Sequence, residues 1–256
     1  VTQDEIAKAI ADHRKWLLGQ EGGAGAVLTD ADLTRAVLTR ADLTGADLTG
    51  AVLTDADLTD AVLTGAVLTD AVLTRAVLTG AVLTRADLTG AVLTRADLTG
   101  AVLTGAVLTD ADLTGADLTG AVLTRADLTG ADLTGAVLTR AVLTGAVLTD
   151  AKGISAPTIP HIDAVILAAV ERDGCELDMS EWHHCETSHC RAGWAVVLAG
   201  PAGRMLEDRI GSGPAGSLIY AASRPGKPIP DFYCGTDDAL ADLRKCAAED
   251  PLPAGV

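Results

Sequence analysis

The chain has 256 residues, 48% of them hydrophobic and 2% aromatic, with 35 acidic against 19 basic side chains and a net charge of −16. That apolar content excludes wholesale disorder, and the charge excludes a protein that grips nucleic acid by neutralising its phosphates. No window approaches about 18 uninterrupted apolar residues, so no membrane span is expected. The first stretch (VTQDEIAKAI) carries acids and no long apolar run, and does not read as a secretory signal. Thr2-Gln3-Asp4-Glu5 has the spacing of a helix capping box. Ile6, Ala9, Ile10, Trp16 and Leu17 recur at helical spacing, Lys8, Asp12 and Lys15 lie on the other side, and Gly19 and Gly22-Gly23 follow. The pattern predicts an amphipathic helix over 3–19 whose apolar side covers whatever comes next.

What comes next is a repeat. From Ala26 to Asp150 the sequence runs through 25 units of A-[V/D]-L-T-[G/R/D] without a gap. Ala, Leu and Thr are fixed; the second position is Val 15 times and Asp 10 times, and the fifth is Gly 12, Arg 7 and Asp 6 times. On a helix, five residues advance about 500°, so the leucines would spiral round it and form no stripe. On a flat strand, side chains alternate with period two, so an odd repeat flips Leu to the opposite face at each unit. Both conflicts disappear if the chain bends once per unit. Ala and Leu then point inward every time, and the other three positions point outward. Successive coils would stack at β-strand spacing, with like residues in ladders.

This run resembles the pentapeptide-repeat proteins, whose unit is A-[D/N]-L-x-x. The resemblance implies a β-solenoid: a right-handed quadrilateral parallel β-helix with four units per coil, Leu as the central inward residue and Ala as the second. It covers 125 of the 256 residues. The family mixes Phe with Leu at the centre and varies its outward positions more. The uniformity here points to recent repeat expansion or consensus design. Twenty-five units give about six coils and, at about 4.8 Å each, a shaft of about 30 Å. Both ends of such a shaft expose unpaired backbone and need caps. The domains expected are therefore a capping helix and Gly-rich link over 1–25, the repeat over 26–150, and a mostly α C-terminal domain over 151–256.

In that last part helices are expected at His161–Val170, at Cys190–Gly200, from Pro201 to Ile210, at Ser217–Ser223, and at Asp237–Ala248 with Thr236 as cap. Arg224–Pro230 is a Pro-rich connection. The segment Cys185–Gly193 (CETSHCRAG), followed by Trp194, is similar to a C-x-T-x-x-C-x-A-G-W-A stretch of bacterial proteins that carries no assigned activity. All five cysteines lie beyond residue 170, and an odd number so placed argues against a disulfide framework and for a reducing, cytoplasmic setting.

With four units per coil, every fourth unit shares a face. One face collects Asp30, Asp47, Asp70, Asp87, Asp110, Asp127 and Asp150, each in a unit of net charge −1, and the other three faces sum to −1, −2 and +1. These seven are the candidate interaction residues, although charge that merely keeps a β surface soluble explains them as well. The one cluster of soft metal ligands is His183, Cys185, His189 and Cys190, in which Cys185 and Cys190 have a zinc-ligand spacing and Cys175, Cys234 or Cys246 could complete four ligands. Small buried helix residues and a solvated histidine pair explain the same letters. A Cys–His nucleophile lacks an orienting third residue, and no phosphate-binding signature is present. No catalytic residue and no cofactor are expected, with zinc the one candidate; a metal-binding or enzymatic C-terminal domain is the third reading. The leading reading is a non-enzymatic structural or interaction protein that binds a protein partner or a second copy through its C-terminal domain, without nucleic acid or membrane. From the resemblance come two further expectations: a homodimer, and binding of DNA gyrase or topoisomerase as a DNA mimic. Against the mimic, duplex DNA carries a charge every 1.7 Å or so, and one Asp per coil is much sparser.

Overall fold

The computed structural model describes residues 2–153, 156–172, 176–179, 188–232 and 234–253. The chain divides into two compact units, Val1–Val142 with Ala146–Ile154, and Leu143–Gly145 with Ser155–Val256.

In the first unit the repeat bends once every five residues. From Ala31 to Ala141 each repeat Ala N–H donates to the Leu carbonyl three residues back, as Ala31 does to Leu28 at 3.1 Å and Ala91 to Leu88 at 3.0 Å. Thr and the fifth residue occupy the turn between them. Four such turns bring the chain back over itself. Every second-position residue bridges the one 20 residues on in parallel, from Val27 with Asp47 to Asp132 with Lys152. Typical bonds between coils are Leu28 N–H to the Asp47 carbonyl at 2.7 Å, Asp47 N–H to Ala26 at 3.0 Å and Asp30 N–H to Thr49 at 2.9 Å. The ladder rungs are single-residue bridges, and no run of extended strand forms in the repeat, because a turn interrupts the chain before a second residue can pair.

Inside, Ala and Leu are packed to exclusion of water. From Ala46 to Ala131 every Ala and Leu of the repeat is at most 1% exposed. The coil runs slightly beyond the predicted last unit: Ala151 closes another turn, and Lys152 exchanges bonds with Ala131 and Leu133 at 2.8 and 2.9 Å.

α1 (Gln3–Leu17) begins where the capping box places it, with Thr2 and Glu5 bonded reciprocally, and stops two residues before the expected end. Its inner line differs from the prediction. Ile6 and His13 are buried, Ala9, Ile10 and Leu17 are half-buried, and Trp16 is 49% exposed. At 100° per residue, His13 returns to within about 20° of Ile6 whereas Trp16 falls about 80° away, which corrects the assignment. His13 Nδ1 accepts the Ala26 N–H at 2.9 Å, and its ring stacks on Trp16 with centroids 5.4 Å apart. The Gln3 amide donates to the Val37 carbonyl at 3.2 Å. Ala26 and Val37 belong to the first coil, which has no coil before it to pair with. Side chains of α1 therefore satisfy backbone groups that the ladder leaves open there.

The second unit is mostly helical: α2 (Ile162–Val170), a two-residue parallel pair β1 (Glu176–Leu177) and β2 (Ser188–His189), then α3 (Arg191–Leu198), α4 (Gly200–Ile210), α5 (Ser212–Ser223) and α6 (Thr236–Glu249). α5 starts five residues earlier than expected, because Pro214 fits the first turn of a helix, where its missing N–H costs nothing. Thr236 is not the cap of α6; Gly235 is, and the Thr236 hydroxyl accepts the Met179 N–H at 3.2 Å. The polar centre of this unit is Arg191, 1% exposed, which donates to the Tyr220 hydroxyl at 2.8 Å and to Asp242 and Asp163 at 2.5 Å each. One guanidinium thus ties α2, α3, α5 and α6 together. Within the same unit the Gly145 N–H donates to the Ile229 carbonyl at 2.9 Å.

Candidate functional site

The outward positions of the repeat carry whatever the first unit can present. Position five has a fixed backbone demand. All 25 of these residues have positive φ, between 54° and 70°, and 13 of them are Asp or Arg. Gly meets this conformation without strain; Asp and Arg adopt it at a cost of about 1–2 kcal/mol each. The sequence signal was the 12 glycines confined to that position, which mark the third residue of a turn.

Position two has a different logic. Each of its ten Asp residues accepts the N–H of the Thr two positions on, at 2.9–3.2 Å. In Asp42, Asp47, Asp57, Asp87 and Asp127 the same oxygen also takes the Thr hydroxyl at 2.6–2.7 Å. The Thr49 hydroxyl and then its N–H hold the Asp47 carboxyl below the usual range, and Thr59 does the same to Asp57. These carboxylates brace the turn.

The bridges put all seven predicted acidic residues on one ladder, Val27–Asp47–Val67–Asp87–Val107–Asp127–Val147, with Asp30, Asp70, Asp110 and Asp150 at the ends of its alternate units. The seven differ in availability. Asp47, Asp87 and Asp127 are half-buried and bonded to Thr; Asp30, Asp70, Asp110 and Asp150 are exposed. The Asp30, Asp70 and Asp110 carboxylates rest over Gly50, Gly90 and Gly130 of the following coil, where a methyl group would collide with them. No arginine occurs on this ladder. Elsewhere Arg can answer Asp one coil away: Arg75 grips Asp55 through two bonds of 2.7 Å, and Arg40 lies 3.7 Å from Asp60.

Of the soft-ligand cluster, His183 and Cys185 lie outside the described residues, as does Cys175, and the His189 side chain is not described. Cys190 is described. It is 2% exposed, its sulfur accepts the Gly193 N–H at 3.3 Å as the cap of α3, and burial pushes its thiol up. A protonated, enclosed sulfur is a poor nucleophile. Cys234 and Cys246 stand by other residues of the second unit: the Cys234 thiol donates to the Asp231 carbonyl at 3.2 Å, and the Cys246 sulfur is 3.7 Å from Arg224 Nη2. Among the described residues no three His, Cys, Asp or Glu side chains are placed to hold a metal ion.

Eight copies of the pentapeptide-repeat pattern match residues 24–55, 56–95, 86–125 and 121–152, together half of the chain. The chain belongs to the pentapeptide-repeat family. Pentapeptide-repeat proteins form β-helices and are in general non-enzymatic structural or interaction proteins. Solved structures similar to this pentapeptide-repeat chain include HetL, a protein involved in heterocyst differentiation regulation from the cyanobacterium Nostoc sp. strain PCC 7120. It is 41% identical over 51% of this chain and 65% of HetL, with a TM-score of 0.36. Rfr23 from the cyanobacterium Cyanothece 51142 is 35% identical over 38% of this chain and 63% of Rfr23, with a TM-score of 0.34. QnrB1, a plasmid-mediated fluoroquinolone resistance protein, is 22% identical over 46% of this chain and 59% of its own, with a TM-score of 0.44. The chain thus spans less than two thirds of the length of each, from 59% to 65%. No curated protein matches it. No helix among the described residues is long and apolar enough to cross a membrane.

Proposed function

We propose that this protein is a non-enzymatic binding scaffold: a right-handed quadrilateral β-helix that offers one acidic face to a basic protein partner. The observation that carries this reading is the Asp30–Asp150 ladder, seven units of charge −1 with no arginine, in a repeat whose other faces mix both signs. Single-sign surfaces steer and select oppositely charged partners. The exposed Asp30, Asp70, Asp110 and Asp150 recur every second coil, about 9.6 Å apart, and would make the contacts. The three Thr-bonded carboxylates add field without moving.

The test is a pair of charge-matched variants. One replaces Asp70 and Asp110 by Lys; the other replaces Asp55 and Asp60, position-five residues on other faces, by Lys. A basic protein retained by the wild type and by the second variant, and lost by the first, is the expected result. Equal retention by all three would overturn the acidic-face reading. The same face is what favours gyrase as an alternative partner. Inhibition of supercoiling by micromolar protein would identify that partner, and absence of any effect removes it. Self-association through the C-terminal part is the remaining proposal, and light scattering on the eluting peak reads it directly: the mass of a single chain, 25.9 kDa, excludes it.

A further inference from the structure

Arg191 and Arg224 line a cleft of about 410 Å³ in the second unit, a volume typical of small-molecule sites. The two guanidiniums lie over the same Tyr220 ring, 5.2 and 5.9 Å from its centre, and share one carboxylate, that of the buried Asp163. Their remaining bonds are unequal. Arg191 takes Asp163 and Asp242 at 2.5 Å and also the Tyr220 hydroxyl. Arg224 meets Asp163 at 3.2 Å through Nε, and its Nη2 has only the Cys246 sulfur, at 3.7 Å. Asp163 and Asp242 together balance the two guanidiniums, and what is left over is hydrogen-bonding capacity: among the described residues Arg224 keeps N–H groups without an oxygen acceptor, on a side chain 16% exposed next to Asp163, which is 4% exposed. Asp242 lines the cleft but is turned to Arg191 and is half-exposed.

Lys245 lines the same cleft and forms no ion pair among the described residues, whereas Lys227 is tied to Glu249 at 3.5 Å. Pro228, Ile229 and Pro230 supply an apolar lining on a segment that two prolines stiffen. A planar guanidinium with unused N–H groups and an ammonium on the lining of the same cleft suit one carboxylate or phosphate group. Asp231, Asp242 and Glu249 along the same lining repel anything with many charges, so a polyanion such as nucleic acid is the wrong ligand. We propose that this cleft binds a small organic anion, a carboxylate or phosphate monoester, through Arg224 and Lys245, with the ligand's apolar body against Pro228–Pro230. The proposal is independent of the acidic face, which lies in the other unit.

Cys246 reports on the site from inside it. In the full chain it is alkylated with iodoacetate, which carries a carboxylate, or with neutral iodoacetamide, and its modification is read by peptide mass spectrometry. Asp242 lies 3.9 Å from the same sulfur, so its own helix disfavours the anionic reagent, and any preference for it comes from Arg224 and Lys245. The expected result is an iodoacetate-to-iodoacetamide rate ratio about three- to tenfold above that of the urea-unfolded chain. Millimolar phenyl phosphate should slow both reagents. Lys245→Ala, a change of an exposed side chain, should return the ratio toward the unfolded value while the circular dichroism stays unchanged. A folded-state ratio at or below the unfolded one overturns the proposal. So does failure of phenyl phosphate to protect, or a Cys246 unreactive to both reagents, since a cleft that excludes them excludes the ligand.

Discussion

Arg95 sits at φ 58° with no ion pair among the described residues, in a conformation that L side chains avoid. Arg95→Gly should therefore raise stability by about 1 kcal/mol, seen as a higher urea midpoint. The reverse change, Gly90→Ala at φ 66°, should lower it by about as much, and Asp70 must also swing aside. The second position makes a pH prediction. The folded-state carboxyls of Asp47 and Asp57 titrate below the unfolded value near 3.9, so their contribution is fully present above that pH. It is lost as pH falls through their lowered folded-state values. Thermal melts should show the repeat weakening on that acid side. Asp57→Asn keeps the acceptor for Thr59, so it should match the wild type at pH 7 and lose less on acidification. Both effects rest on outward residues, whose roles were only partly legible. The glycines signalled a positive φ, but nothing in the letters said that Asp at position two bonds forward to Thr.

Within the elements, α1 shows how one side chain substitutes for a missing coil. His13→Ala would leave the Ala26 N–H without its acceptor and should cost about 1–3 kcal/mol, read as earlier hydrogen exchange at 26–36. His13→Asn, able to accept at a similar reach, should recover part of it. In the second unit, Arg191→Met removes the cation that α2, α3, α5 and α6 share and strands Asp163, 4% exposed, beside Arg224 alone. Breaking a buried pair in this way costs about 3–5 kcal/mol, so loss of the helical melt is expected. Helix positions in this unit were readable from apolar spacing and capping letters. The start of α5 and the cap of α6 were not, since Pro214 fits a helix start or a loop equally well, and Thr236 is bonded to Met179, distant in sequence.

At the scale of the whole chain, a purely apolar interior repeated 25 times has no weak layer to absorb a cavity. Leu88 is fully buried between identical neighbours, so Leu88→Ala should cost about 2–5 kcal/mol. Hydrogen exchange should show the damage spread through neighbouring coils and leave α2–α6 unchanged, because repeat arrays couple mainly to their nearest neighbours. The acidic ladder is a property at this scale too. Each Asp on it is ordinary; only the 20-residue return of the chain puts seven net-negative units in one line. That return was deducible, because a period of five cannot keep Leu inward without a corner in each unit, and four units per coil came with the family resemblance.

The sequence by itself determined the corner in each unit and the inward residues, because a period of five can bury every leucine only by bending each time, while four units per coil, and with them the register, came with the family resemblance. Tertiary structure alone decided which outward carboxylates are tied to Thr and which stand free. It also decided that His13 and not Trp16 faces inward beneath α1, and that Arg191, Arg224 and Asp163 meet around Tyr220. Such choices depend on neighbours far apart in the chain, competing for the same bonds, and no local spacing records that competition.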